Sequence, residues 1–166
     1  MVILIGMMGS GKSTVGKRLA ELLGVAFFDT DRILEHRLGR PVSSWFAIYG
    51  ENAFREHESN VLKSLEAGPG VLATGGGIVL RAENWEEFRR LGQTVFLDVD
   101  PDILKRRLTV TKRKRPLLDS PDWESRFDAI YAARRPVYCR ADLCVPIYDE
   151  PLTDVAERLH EMLRGL

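Results

Sequence analysis

Three groups of residues have the types and spacing to do chemistry together. Gly6-Met7-Met8-Gly9-Ser10-Gly11-Lys12-Ser13 fits G-x-x-x-x-G-K-[ST]. Glycines at these positions let the backbone curl until successive N–H groups converge on a phosphate, and a following helix adds its positive N-terminal end. Lys12 brings a charge to the β- and γ-phosphates, and the Ser13 hydroxyl is a suitable oxygen ligand for Mg²⁺. The nucleotide-binding set is therefore Gly9, Ser10, Gly11, Lys12, Ser13 and Thr14. The second group is Asp29 and Asp31, two carboxylates one residue apart. Beside a phosphate loop such a pair can divide labour, one toward a metal and the other toward an acceptor hydroxyl. Asp31 is also placed to cap a helix over Arg32–Leu38. Asp98, which follows Val95-Phe96-Leu97, competes for the metal role, and the Asp29/Asp31 pair is preferred to it. The third group is the stretch from Lys105 to Arg115, which holds Lys105, Arg106, Arg107, Lys112, Arg113, Lys114 and Arg115 and no acid.

The elements that must position these groups are legible in the hydrophobic pattern. Short β-rich runs alternate with helical ones, the signature of βαβ units and a parallel sheet. Met1–Ile5 is apolar throughout, as a central strand buried on both faces should be. Four further strands are predicted at Val25–Phe28, Val71–Ala73, Thr94–Leu97 and Leu143–Val145. Helices are predicted over Ser13–Leu23, Arg32–Leu38, Glu51–Leu65, Ala82–Leu91, Asp102–Leu108, Trp123–Arg134 and Thr153–Leu163. A Ser-Ser cap signal precedes Trp45, and Pro136 is read as a stop. Residues 32–66 hold about twice the helical length that a crossover needs, and are read as an inserted substrate-binding subdomain. Residues 109–122 form a long polar connection, read as a mobile lid.

The bulk properties exclude several classes. The chain has 166 residues, enough for a single domain that needs no staples. Twenty-four basic residues balance twenty-four acidic ones, so no global field draws nucleic acid or a membrane. The basic stretch from Lys105 contains no aromatic residue for base stacking, which argues further against nucleic acid. No apolar run is long enough to span a bilayer, and the first strand has no basic n-region of a signal peptide. Cys139 and Cys144 lack CxxC spacing and are read as free thiols of a reducing, cytoplasmic compartment.

Beyond the phosphate loop, an ordered series of motifs runs through nearly the whole chain. It comprises Asp29-Thr30-Asp31, Phe54-Arg55-Glu56-His57-Glu58, Gly75-Gly76-Gly77, Arg115-Pro116-Leu117-Leu118 and Arg134-Arg135-Pro136-Val137-Tyr138. In these the chain resembles the shikimate kinases, short P-loop kinases related to the nucleoside monophosphate kinases. The resemblance implies a three-layer α/β/α fold with strand order 2-3-1-4-5. It implies transfer of the ATP γ-phosphoryl group to the 3-hydroxyl of shikimate, giving shikimate 3-phosphate and ADP on the route to chorismate and the aromatic amino acids. ATP and shikimate are then the expected partners of a monomer, with Mg²⁺ as cofactor. Arg55 and Arg134 carry over as the clamp on the substrate carboxylate, a role that suits the guanidinium fork. Gly76 and Gly77 carry over as substrate-binding backbone. Asp31 carries over as partner of the ring hydroxyls and base for the attacking one. Glu58 would hold Arg55, and Asp29 would bind the metal through water beside Ser13. Arg115 is assigned to close over the γ-phosphate from the lid, and Arg107 to lie against adenine. Two other readings remain open: another small-metabolite kinase, such as a gluconate kinase, and a catalytically silent nucleotide-binding module.

Overall fold

In a computed structural model, which describes residues 1–110, 118 and 120–165 (Phe46 and Ala47 by backbone alone), five parallel strands form one sheet. The strand β1 (Val2–Ile5) lies at its centre, paired with β3 (Gly70–Ala73) on one side and β4 (Gln93–Val99) on the other. The strand β2 (Ala26–Asp29) flanks β3, and β5 (Leu143–Ile147) flanks β4. The order β2-β3-β1-β4-β5 is the expected one. Ile3, Leu4 and Ile5 are fully buried because helices cover both faces of a central parallel strand.

Right-handed crossovers decide where those helices lie. The step from β1 to β2 runs one way across the sheet, and every later step runs the other way. This places α1 (Lys12–Leu23) on one face, where it packs on α7 (Leu152–Arg164). The helices α4 (Ala82–Leu91), α5 (Pro101–Val110) and α6 (Trp123–Tyr138) belong to the opposite layer. Parallel strands also end on one edge. The loops after Ile5, Asp29, Ala73 and Ile147 therefore open on a single mouth.

The helices α2 (Thr30–Leu38) and α3 (Val42–Ser64) pack on each other around a small core of their own, Leu34, Trp45, Phe54 and Val61. The sequence predicted only the second half of α3. Gly50, at φ 79° and ψ 174°, breaks the helical path and reads locally as a turn. The Ser-Ser cap signal is also corrected. The cap residue is Pro41, and the first N–H, that of Val42, is taken by the Glu35 carboxylate of α2 at 3.1 Å.

Two prolines mislead in a similar way. Pro136 lies inside α6 and does not stop it. The turn it weakens is held by other contacts: Cys139 N–H donates to Arg135 O at 3.0 Å, and the buried Tyr138 ring stacks on Phe96 at 5.1 Å. Pro146 lies within β5, which is tolerable because β5 is an edge strand. A short 3₁₀ turn at Ile78–Leu80 was not predicted. Cys139 and Cys144 are free and exposed. Among the described residues no helix is long and apolar enough to cross a membrane.

Candidate active site

The phosphate loop joins β1 to α1 at the mouth of the sheet. Gly9 and Gly11 take φ of 83° and 89°, which side chains disfavour, and α1 opens at Lys12 with no side-chain cap. The N–H groups of its first turn are thus left for an anion. Lys12 Nζ donates to the carbonyls of Gly6 and Met7, each at 2.8 Å, and to Ser10 Oγ at 3.2 Å.

Beside the loop, Ser13 Oγ donates to Asp29 Oδ2 at 2.7 Å. The other oxygen of Asp29 accepts from the N–H of Asp31 at 3.0 Å and of Arg32 at 3.4 Å. Asp29, not Asp31, therefore caps α2, which starts at Thr30 rather than Arg32. The cause is the short connection: β2 runs straight into the helix, so its last residue supplies the cap. Asp31 sits in the first helical turn and lines a cleft of about 690 Å³ together with the phosphate loop, Ser13, Thr14 and Gly75-Gly76. Arg106 and Arg107 line the same cleft from α5. Asp98 does not compete for a metal. It is an interior residue of β4 and is bound by the Arg135 guanidinium at 2.7 Å.

Arg55, Gly77 and Arg134 do not line that cleft. They belong to a buried cluster joined to it through Gly75 and Gly76. Arg55 reaches Glu58 Oε2 at 2.5 Å and Glu51 Oε1 at 2.9 Å. The Gly75–Gly77 segment lies flat over this pair. A Cβ at Gly75 would sit 2.6 Å from Glu58 Oε1 and 3.0 Å from Asp31 Oδ1. A Cβ at Gly77 would sit 2.2 Å from the Arg55 guanidinium. The first use of these glycines is thus to admit the Arg55–Glu58 pair. On the other side, the Tyr138 hydroxyl donates to Gly76 O at 2.5 Å and fixes the middle of the segment to α6, which also carries the buried Arg134.

Gly77→Ala follows as a test. Arg55 is pinned by two carboxylates, so the added methyl must displace the guanidinium it strikes. We expect at least a tenfold rise in KM for a carboxylate substrate, by loss of one charge-assisted hydrogen bond, with KM for nucleotide changed less than threefold. Steady-state titration of each substrate checks this.

Sequence reasoning missed several members of the cluster. Glu51 was legible, since it lies four residues before Arg55 on the same helix. Thr30, whose hydroxyl accepts from Gly75 N–H at 2.9 Å, gave no signal beyond its place in Asp29-Thr30-Asp31. Arg115 and most of the expected lid lie outside the described residues.

Comparison with known proteins supplies the decisive observation. The shikimate kinase family model matches residues 8–164. The chain belongs to the shikimate kinase family. A shikimate kinase of Symbiobacterium thermophilum is 48% identical over 142 residues, covering 84% of this chain and 82% of the relative. One from Prochlorococcus marinus is 42% identical over 164 residues, covering 98% and 85%. Among solved structures, the Acinetobacter baumannii shikimate kinase in complex with shikimate superimposes with a TM-score of 0.92 at 33% identity, covering 99% of this chain and 92% of that one. The Bacteroides thetaiotaomicron shikimate kinase gives 0.86 at 36% identity, covering 98% and 97%.

In this shikimate kinase fold Glu58 is the most heavily buried acid of the site. Burial pushes its carboxyl up to about 7, despite the attraction of Arg55, and neighbouring Asp31 adds to the rise. An unfolded glutamate titrates near 4.5. Between these values the folded chain binds more protons than the unfolded one, so this group makes stability fall as pH rises through that window. At roughly 1.4 kcal/mol per pKa unit, the fall is at most about 3 kcal/mol. Urea midpoints measured from about pH 5 to pH 7.5 should show this slope, and Glu58→Gln should flatten it.

Proposed function

We propose that this chain phosphorylates the 3-hydroxyl of shikimate with ATP, releasing shikimate 3-phosphate and ADP. The observation that carries the proposal is the buried Arg55–Glu58 pair beneath Gly75–Gly77, with Arg134 in the same cluster and the phosphate loop across the cleft. A gluconate kinase shares the phosphate loop, but the series Arg55, Gly75–Gly77 and Arg134 suits a rigid cyclic carboxylate rather than a flexible open-chain one. The shikimate complex of the A. baumannii relative, superimposable over nearly the whole chain, supports the same reading.

Each residue then has a task. The N–H groups at Gly9–Thr14 and the Lys12 ammonium grip the phosphates. Arg55 and Arg134 bind the substrate carboxylate, and Gly76 and Gly77 form the wall beside them. Asp31, in the cleft and relieved of capping, accepts hydrogen bonds from the ring hydroxyls and takes the proton of the attacking one. With both partners held, in-line transfer needs mainly orientation and charge neutralisation. Arg107 contributes to the nucleotide side of the cleft, and Arg115 closes over the transferring group from the lid at 109–122. The helices of residues 32–66 act as the substrate-binding subdomain, a role that fits their separate core.

Ser13 and Asp29 fit Mg²⁺. They offer a hydroxyl and a carboxylate oxygen 2.7 Å apart beside the phosphate loop, the hard donors this ion takes. Among the described residues no group of three or more His, Cys, Asp or Glu could hold a metal alone, so water, through which Asp29 would act, and nucleotide oxygens would complete the shell. When bound, the ion supplies positive charge to the β- and γ-phosphates.

The test is ADP release from Mg²⁺-ATP against shikimate, quinate, gluconate and nucleoside monophosphates. Turnover with shikimate alone supports the proposal. Preference for gluconate or a nucleotide overturns it, as does nucleotide binding with no turnover of any acceptor.

A further inference from the structure

The buried half of the site contains two opposed pairs of formal charges, Arg55 and Arg134 against Glu58 and Asp31. Glu58 is the most enclosed of the four, with 1% of its surface exposed. Its Oε2 accepts from Arg55 Nη1, while its Oε1 is buried and has no hydrogen-bond partner among the described residues. That oxygen lies 2.6 Å from the place a Cβ on Gly75 would take, and Asp31 Oδ1 approaches the same place from α2 at 3.0 Å. The groups that face Glu58 come from three elements: Arg55, with Glu51 beyond it, from α3; Asp31 from α2; and Arg134 and Tyr138 from α6. The neighbouring His57 is turned away and packs edge-on against Trp45 at 4.6 Å.

We propose that Glu58 takes up a proton when the acid substrate binds, so that seating a carboxylate on Arg55 and Arg134 is linked to neutralisation of this buried carboxyl. The inference rests on the functional reading above. A substrate carboxylate is a third negative charge brought to two cations, and it withdraws from Glu58 the attraction that keeps it ionised. One of three crowded carboxyls must then yield. The substrate's own is gripped by two guanidinium forks. Asp31 is only partly buried and lies in the first turn of α2, where the helix favours negative charge. Glu58 has neither advantage, has an oxygen with no donor among the described residues, and already titrates near neutrality because of burial. The new O–H bond forms at Oε1 with a proton drawn from solvent. It turns an orphaned acceptor into a donor that faces Asp31 and the substrate hydroxyls, while Oε2 keeps its bond to Arg55.

Titration calorimetry of shikimate into the full chain, in buffers of different ionisation enthalpy, counts the protons. At about pH 8 we expect uptake of half a proton or more per shikimate, and above that a Kd rising by up to about tenfold per pH unit. Glu58→Gln, which keeps an acceptor for Arg55, should still bind shikimate with uptake near zero. Carboxyl carbon shifts of Glu58 in labelled wild-type protein give the same answer without a variant: a move to the protonated position on adding shikimate is expected. Zero uptake by the wild type from about pH 6.5 to 8.5, an unchanged Glu58 signal, or full uptake in Glu58→Gln overturns the inference. Binding without uptake defeats this inference alone, whereas no binding of shikimate defeats the functional reading and this inference with it.

Discussion

Lys12→Ala is expected to lower kcat by about 10³-fold or more while the protein still folds. Lys12 is 8% exposed, and its ammonium is held at the inner side of the phosphate loop by the carbonyls of Gly6 and Met7 and by Ser10. The charge is therefore placed before the nucleotide arrives, with its three N–H donors engaged, and meeting the β- and γ-phosphates means exchanging at least one of these bonds for a phosphate oxygen. Negative charge shifts toward the β–γ bridge during transfer, so the interaction strengthens in the transition state and acts on kcat more than on KM. A factor of 10³ corresponds to about 4 kcal/mol, the scale of losing one donor aimed at charge that develops in the transition state. The variant is expected to fold, because the truncation opens space beside the cleft that Lys12 lines, from which water can reach the freed carbonyls. Lys12→Arg is expected to fail almost as badly, since a guanidinium is too wide for a position gripped by two carbonyls at 2.8 Å. Kinetics of both variants, with a thermal melt to confirm folding, check this. A tenth of wild-type activity in Lys12→Ala would remove Lys12 from the mechanism.

Why the sequence disclosed some of this site and concealed the rest follows from where each signal resides. The phosphate loop was legible because its chemistry lies in the backbone: glycine spacing encodes the curl, and the apolar run of β1 before it and the helix after it encode the setting. Sheet order followed from the family resemblance, whereas the strands themselves followed from hydrophobic runs. Local rules failed where tertiary contacts override them. Pro136 is a stop signal that the burial of Tyr138 defeats, and Gly50 is a true break, across which a second helical half precedes the predicted one. The cap of α2 was misassigned by two residues because capping depends on how abruptly β2 becomes helix. Nothing local could show that Gly75 and Gly77 are small to let Glu58 and Arg55 pass beneath them. That requirement joins residues from two elements and is visible only in space.

Arg55→Ala should separate the two halves of the site. Its side chain is 9% exposed and shared between Glu51 and Glu58. Two effects follow, on different links of the chain from packing to function. For stability, breaking a buried ion pair ordinarily costs about 3–5 kcal/mol, because the abandoned partner stays charged. Glu58 has an escape: its carboxyl titrates at about 7 even beside Arg55, so without the guanidinium it protonates at neutral pH. The expected loss is therefore smaller, about 1–2 kcal/mol, the scale of a buried carboxyl left short of hydrogen bonds. For binding no such escape exists. The substrate carboxylate loses one of its two guanidinium forks, and charge-assisted hydrogen bonds contribute about 1.5–3 kcal/mol each. KM for shikimate should rise by roughly 10²-fold, and KM for ATP by less than threefold, because the phosphate loop does not touch Arg55. Arg55→Lys should recover little, since a point charge cannot span two carboxylate oxygens and hold Glu58 as well. Equal losses for both substrates would contradict the clamp and leave Arg55 as a structural ion pair that happens to underlie the glycine segment.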